Sequence, residues 1–144
     1  MRFLLFLILL FSSKMYSNTD EVLLFAAQRG DLDSVKTALK WDGDVNATDR
    51  HGASALIKAT ENGHYKVIEY LLKKGADVDH RDKAGSTALI YACIIGDKSI
   101  VELLLKYNPN INIKDDSGKT PLSEAKLFKN EEIVQLLKSK GAVQ

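Results

Sequence analysis

Cysteine is nearly absent. Cys93 is the single one in 144 residues, so no internal disulfide can form and the chain must draw its stability from a packed core. Proline is scarce as well, with two residues, and there is no low-complexity tract, so no long linker divides the chain. Neither sign of charge dominates: 20 basic and 19 acidic residues leave a formal net charge of +1. That balance lacks the basic excess a nucleic-acid partner selects. The three histidines, His51, His64 and His80, are far apart and form no His-x-x-x-His pair. With no Cys-x-x-Cys either, nothing supplies the three or four converging ligands of a metal site. Gly-rich phosphate loops and Gly-x-Ser-x-Gly are missing too. The acid pairs Asp115–Asp116 and Glu131–Glu132 are adjacent in sequence, and adjacent residues on a helix point apart. The expectation is no catalytic residue, no metal and no cofactor.

The N-terminus is the one compositionally distinct segment. Arg2 precedes the run "FLLFLILLF" at residues 3–11, which is followed by "SSKMYS". A basic start, a short apolar core and a small-residue exit describe a secretory signal peptide. A comfortable bilayer span needs about 20 apolar residues, and this run is shorter. Cleavage after Ser17 is expected, with Ser13 as a second site. Removing residues 1–17 takes away Arg2 and Lys14 and leaves 18 basic against 19 acidic residues. The alternative is an uncleaved anchor that tethers the rest of the chain to a membrane, as a scaffold or as an inhibitor of an envelope enzyme.

What the remainder has is a period. Gly52, Gly85 and Gly118 stand 33 residues apart, as do Gly30, Gly63 and Gly96. Leu23, Leu56, Leu89 and Leu122 keep the same step, and so do Ala26, Ala59, Ala92 and Ala125. Val45, Val78 and Ile111 add a fifth column. A fixed period of this length marks stacked structural units. Within each unit Ser54, Thr87 or Thr120 precedes a helical pattern and suits its N-cap, and Pro121 fits the first helical position. This first helix is predicted to run about nine residues and to end near Gly63 or Gly96. Asp31, Asp97 and Asn130 are expected to cap a second helix, carried by "KVIEYLL", "SIVELLL" and "EIVQLL". Asn18 with Glu21 suits a capping box at the start of the first unit. Asp49, Asp82 and Asp115 recur in polar segments that read as extended loops with tight tips. Cys93 shares a small-residue column with Ala27 and Thr60 and reads as packed interior.

"GKTPL" at residues 118–122, "GADVD" at 75–79 and "NGHYKVIEYLLKKGADVD" at 62–79 resemble the ankyrin repeat. The resemblance spans residues 18–144 and implies an all-α solenoid of about four helix-turn-helix units joined by β-turn loops. The units divide as an N-terminal capping repeat (18–47), two inner repeats (48–80 and 81–113) and a C-terminal capping repeat (114–144), after the signal peptide (1–17). Lys138 replaces the apolar residue found at Leu72 and Leu105, which suits the polar outer face of a cap. The chain departs from the family in three places. Ile57, Ile90 and Ser123 stand where the family has His, so apolar contact is expected to replace a polar network there. Lys129 and Asp42 stand where Gly is usual.

The family resemblance implies a non-catalytic protein-protein interaction module that uses a concave surface. It also places the contact positions at the turn tips and at the ends of the first helices. The expected protein-binding residues are Arg50, His51, Glu61, Asn62, Lys83, Ser86, Tyr91, Ile94, Ile95, Asp116, Lys119, Leu127 and Phe128. Ala53, Ala84, Ser117, Gln28 and Arg29 hold equivalent places. Ile94, Ile95, Leu127 and Phe128, with Tyr91 one turn earlier, are expected to form an apolar strip facing water, a feature that often marks interaction sites. The full expectation is an exported monomer, secreted or periplasmic, that binds a protein, with no nucleic acid and no membrane contact after cleavage.

Overall fold

The computed structural model describes residues 19–143, so the expected signal peptide and Asn18 lie outside the described residues. Among the described residues eight helices follow one another in pairs. The first, α1, covers residues 19–29. The others are α2 (Leu32–Lys40), α3 (Ala55–Glu61), α4 (Tyr65–Lys73), α5 (Ala88–Ile95), α6 (Lys98–Leu105), α7 (Pro121–Leu127) and α8 (Glu131–Ser139). Among the described residues there is no strand, only an isolated antiparallel bridge between Thr48 and Ser54. No described helix is long and apolar enough to cross a membrane.

The helices α3, α5 and α7 each start where a hydroxyl caps them. Ser54 accepts from Ile57 N at 3.3 Å, Thr87 from Ile90 N at 3.5 Å and Thr120 from Ser123 N at 3.1 Å. Ser123 Oγ in turn accepts from Thr120 N at 2.8 Å, which closes a capping box around Pro121. These helices are seven or eight residues long, shorter than the expected nine, because the chain reverses before the glycine. His64 N bonds to Ala59 O and Gly63 N to Thr60 O, the paired bonds that end a helix on a left-handed residue. Lys129 takes the same conformation without the glycine that eases it, at φ 56, and Asp42 and Asn108 do so at φ 60 and 51.

The second-helix starts are of two kinds. Asp31 and Asp97 cap their own helices, accepting from Ser34 N and Ile100 N at 3.1 and 3.2 Å. Asn130, expected to do the same for α8, makes no side-chain cap. Its amide instead donates to Cys93 O at 3.2 Å in the preceding repeat. His64 likewise reaches back to Gln28 O at 2.9 Å. Both side chains pass over a glycine: a Cβ on Gly30 would lie 2.5 Å from His64 Nδ1, and one on Gly96 would lie 2.7 Å from Asn130 Nδ2. Gly63, which stands in the same register to the self-capping Asp97 as Gly30 does to His64, has no such neighbour within 4 Å.

The repeating columns form the core. Leu23, Leu56, Leu89 and Leu122 are buried, with Ala26, Ala59, Ala92 and Ala125 beside them. From the second helices come Val35, Ile68, Val101 and Val134, and Ala38, Leu71, Leu104 and Leu137. Ile57 and Ile90, at the family's histidine position, are buried as well. The alanine column brings the first helices close, and they pack more tightly on one another than the second helices do. A stack that is tighter on one side bends toward it, so the first helices and the loop tips line the concave face.

The loops are stapled from repeat to repeat. Asn46 Oδ1 accepts from Asp77 N at 2.8 Å, Asp79 Oδ1 from Asn110 N at 2.7 Å and Asn112 Oδ1 from Val143 N at 2.9 Å. Short side chains in the loops therefore add to the polar ties between repeats.

Candidate functional site

Each loop tip is built around one aspartate. Asp49 Oδ1 accepts from His51 N at 2.8 Å and from Ala53 N at 3.0 Å. Asp82 Oδ1 accepts from Ala84 N and Ser86 N at 2.9 and 3.0 Å. Asp115 Oδ1 accepts from Ser117 N and Lys119 N at 2.8 and 2.9 Å. A carboxylate that takes both amides fixes the tip and leaves a glycine at positive φ behind it. Adjacent tips are then joined by Lys83 N to His51 O and Asp116 N to Ala84 O, both at 3.0 Å. His80 Nε2 adds a contact to Gly52 O at 2.7 Å.

What restrains each tip from its own first helix differs along the stack. Lys58 Nζ lies 2.7 Å from Asp49 Oδ2. Tyr91, one period on, donates from its hydroxyl to Asp82 Oδ2 at 2.6 Å. At the third position stands Glu124, which is buried and pairs with Lys119 Nζ at 3.1 Å. Burial pushes the carboxyl pKa of Asp49 up, but the bond from Lys58 and the amides of Ala53 and His51 outweigh it and hold it below the ordinary value. For Tyr91, burial first and then the bond to Asp82 raise the phenol well above its usual range.

Most of the expected contact residues lie on this surface. Arg50, His51, Lys83, Asp116 and Lys119 are exposed at the tips, and Glu61 and Asn62 are exposed at the end of α3. Leu127 is 61% exposed, Phe128 50% and Ile95 41%, while Ile94 is half-buried. Some of these groups are already partnered. Arg50 Nε donates to His51 Nε2 at 3.0 Å, Asn62 to Lys58 O at 2.8 Å, and Asp116 lies 3.5 Å from Arg81. Ser86 is a correction. It is only 7% exposed, because its amide is drawn in to Asp82 and its side chain faces the Tyr91 hydroxyl. Ala53 is buried for the equivalent reason. Tyr91 is half-buried with its hydroxyl committed, so it offers ring and not hydroxyl to the face.

Sequence reasoning missed Phe25. It is 63% exposed on α1, with the Arg29 guanidinium 5.5 Å from its ring centroid. The signal was its column: Phe25, Lys58, Tyr91 and Glu124 are one period apart, and the latter three all turn to a loop tip of their own repeat. Glu61 is the other group of note. Burial raises its carboxyl pKa, Lys58 opposes this, and the charges of Asp82 and Asp49 add to it. Cys93 is fully buried, and burial followed by the charge of Glu124 pushes its thiol up to about 12, which makes it a packed side chain and not a nucleophile. Among the described residues no group of three or more His, Cys, Asp or Glu could hold a metal ion.

The family model described as ankyrin repeats (3 copies) matches residues 3–82 and 75–144. The chain belongs to the ankyrin repeat family, whose repeats serve as protein-protein interaction modules. Comparison with curated proteins finds no match.

Proposed function

We propose that this chain is an exported, non-catalytic adaptor that binds a protein partner as a monomer through the concave face, without nucleic acid. The observation that carries the reading is the exposure of Ile95, Leu127 and Phe128 at equivalent ends of neighbouring first helices. The water-facing parts of these side chains add little to the stability of the free protein. Covering them gains roughly 25 cal/mol per Å², and aromatic anchors often dominate such interfaces. The test is capture from the native extract with wild type, with Leu127→Ser/Phe128→Ala, and with Glu69→Ala on the outer helix α4. One protein retained by wild type and Glu69→Ala but lost by the concave variant supports the reading. Retention by all three refutes it.

Export rests on Arg2 and the apolar run at residues 3–11. The same run favours a second reading, in which it stays attached and tethers the repeats to a membrane. Intact mass of the native protein separates the two: loss of residues 1–17 fits export, and a retained N-terminus fits the tether.

A further inference from the structure

We infer that the segment bound by this face is basic and apolar together, with a lysine or arginine seated on Glu61 and aliphatic or aromatic side chains on Ile95, Leu127 and Phe128. The inference rests on the concave-face reading and adds the chemistry of the partner.

The other acids near the centre of the face are committed. Asp49 is bound by Lys58, Asp82 by Tyr91 and two amides, and Glu124 by Lys119. Glu61 has neither a hydrogen bond nor an ion pair among the described residues. The nearby ammonium, that of Lys58, is held by Asp49 at 2.7 Å. Desolvation at the end of α3 and the carboxylates of Asp82 and Asp49 disfavour the Glu61 charge and outweigh the opposing pull of Lys58, so an incoming cation relieves an existing cost as it binds. At the rim, Arg50 and Lys83 are exposed and repel that cation, which steers it to the centre.

The apolar half is set by the stack. Glu61 ends α3, Ile95 ends α5, and Leu127 and Phe128 end α7. Packed helices lie about 8–10 Å apart, so the first apolar contact falls roughly 10 Å beyond the cation and the second roughly 20 Å beyond it. A bound helix rising about 1.5 Å per residue meets these points with a cation at i and apolar residues near i+7 and i+14. A polyproline II segment, with three residues per turn and a rise of about 3.1 Å per residue, meets them near i+3 and i+6.

A library of random 16-residue peptides displayed on phage and panned against the full chain tests this. Enriched peptides are expected to combine lysine or arginine with aliphatic or aromatic residues at one of the two spacings. A synthetic copy of the best peptide should bind Glu61→Gln about tenfold more weakly, with a flatter salt dependence and an unchanged melting midpoint. Enriched peptides without a basic preference, or binding that survives Glu61→Gln yet falls with Phe128→Ala, would overturn the inference and leave the concave reading standing. No enrichment, or binding indifferent to Glu61→Gln, Leu127→Ser and Phe128→Ala alike, would overturn both.

Discussion

Replacing Asp82 with alanine probes how the concave face is held in shape. The carboxylate accepts three bonds, from Ala84 N, from Ser86 N and from the Tyr91 hydroxyl at 2.6 Å. Ser86 is buried, so its amide finds no water once the acceptor is gone. A net loss of about 0.5–1.5 kcal/mol per bond, rising when a buried donor is orphaned, places Asp82→Ala at about 2–4 kcal/mol. Relief of the repulsion between Asp82 and Glu61 offsets a small part. Tyr91→Phe removes only the last of the three bonds and should cost about 0.5–1.5 kcal/mol. Asp82→Asn keeps an acceptor for the amides and should fall between. Urea unfolding of the three variants at constant slope gives the comparison. If Asp82→Ala and Tyr91→Phe agree within about 0.5 kcal/mol, the tip amides do not depend on this carboxylate and the reasoning fails.

Other outcomes follow from the same geometry. Leu104→Ala, at a fully buried site, should cost about 2–5 kcal/mol, while Lys83→Ala at an exposed tip should stay within about 0.5 kcal/mol; similar urea midpoints would reverse the inside and outside of the repeat. Lys129→Gly relieves a left-handed residue at φ 56 and should raise stability by about 0.5–1 kcal/mol after the added chain entropy is counted, measured as a higher melting midpoint. The folded pKa of Asp49 lies below its unfolded value of about 3.8, so its contribution is present above that pH and is lost as pH falls through the folded pKa. Wild type should therefore lose more urea resistance between about pH 5 and pH 3 than Asp49→Asn does, and equal losses would mean that Asp49 carries no such linkage.

The repeat was legible because identical side chains recur at one step: the leucine and alanine columns sit in the core and nowhere else. Side chains that break the period were harder to place. Asn130 has the residue type of a helix cap, yet Gly96 opens a path to Cys93 O and the amide takes it. Ser86 has the residue type of a surface turn, but the Asp82 carboxylate draws its amide inward. Phe25 has the residue type of a core residue and is exposed at the end of the stack. For Asn130 the deciding partner lies in the preceding repeat, and for Ser86 it lies four residues back in the same loop; residue type alone shows neither. The apolar positions at Ile95, Leu127 and Phe128 were legible as departures from the polar residues at Arg29, Glu61 and Asn62 in the same columns.

In the proposed function the ends of the first helices are covered by a partner. Phe128→Ala tests it directly when affinity for the captured partner and melting midpoint are measured on the same preparation. Affinity is expected to weaken by at least about 1 kcal/mol with the midpoint nearly unchanged, because a half-exposed ring adds little to the core. A lowered midpoint with unchanged affinity would mean that Phe128 only seals the last repeat, and would contradict it.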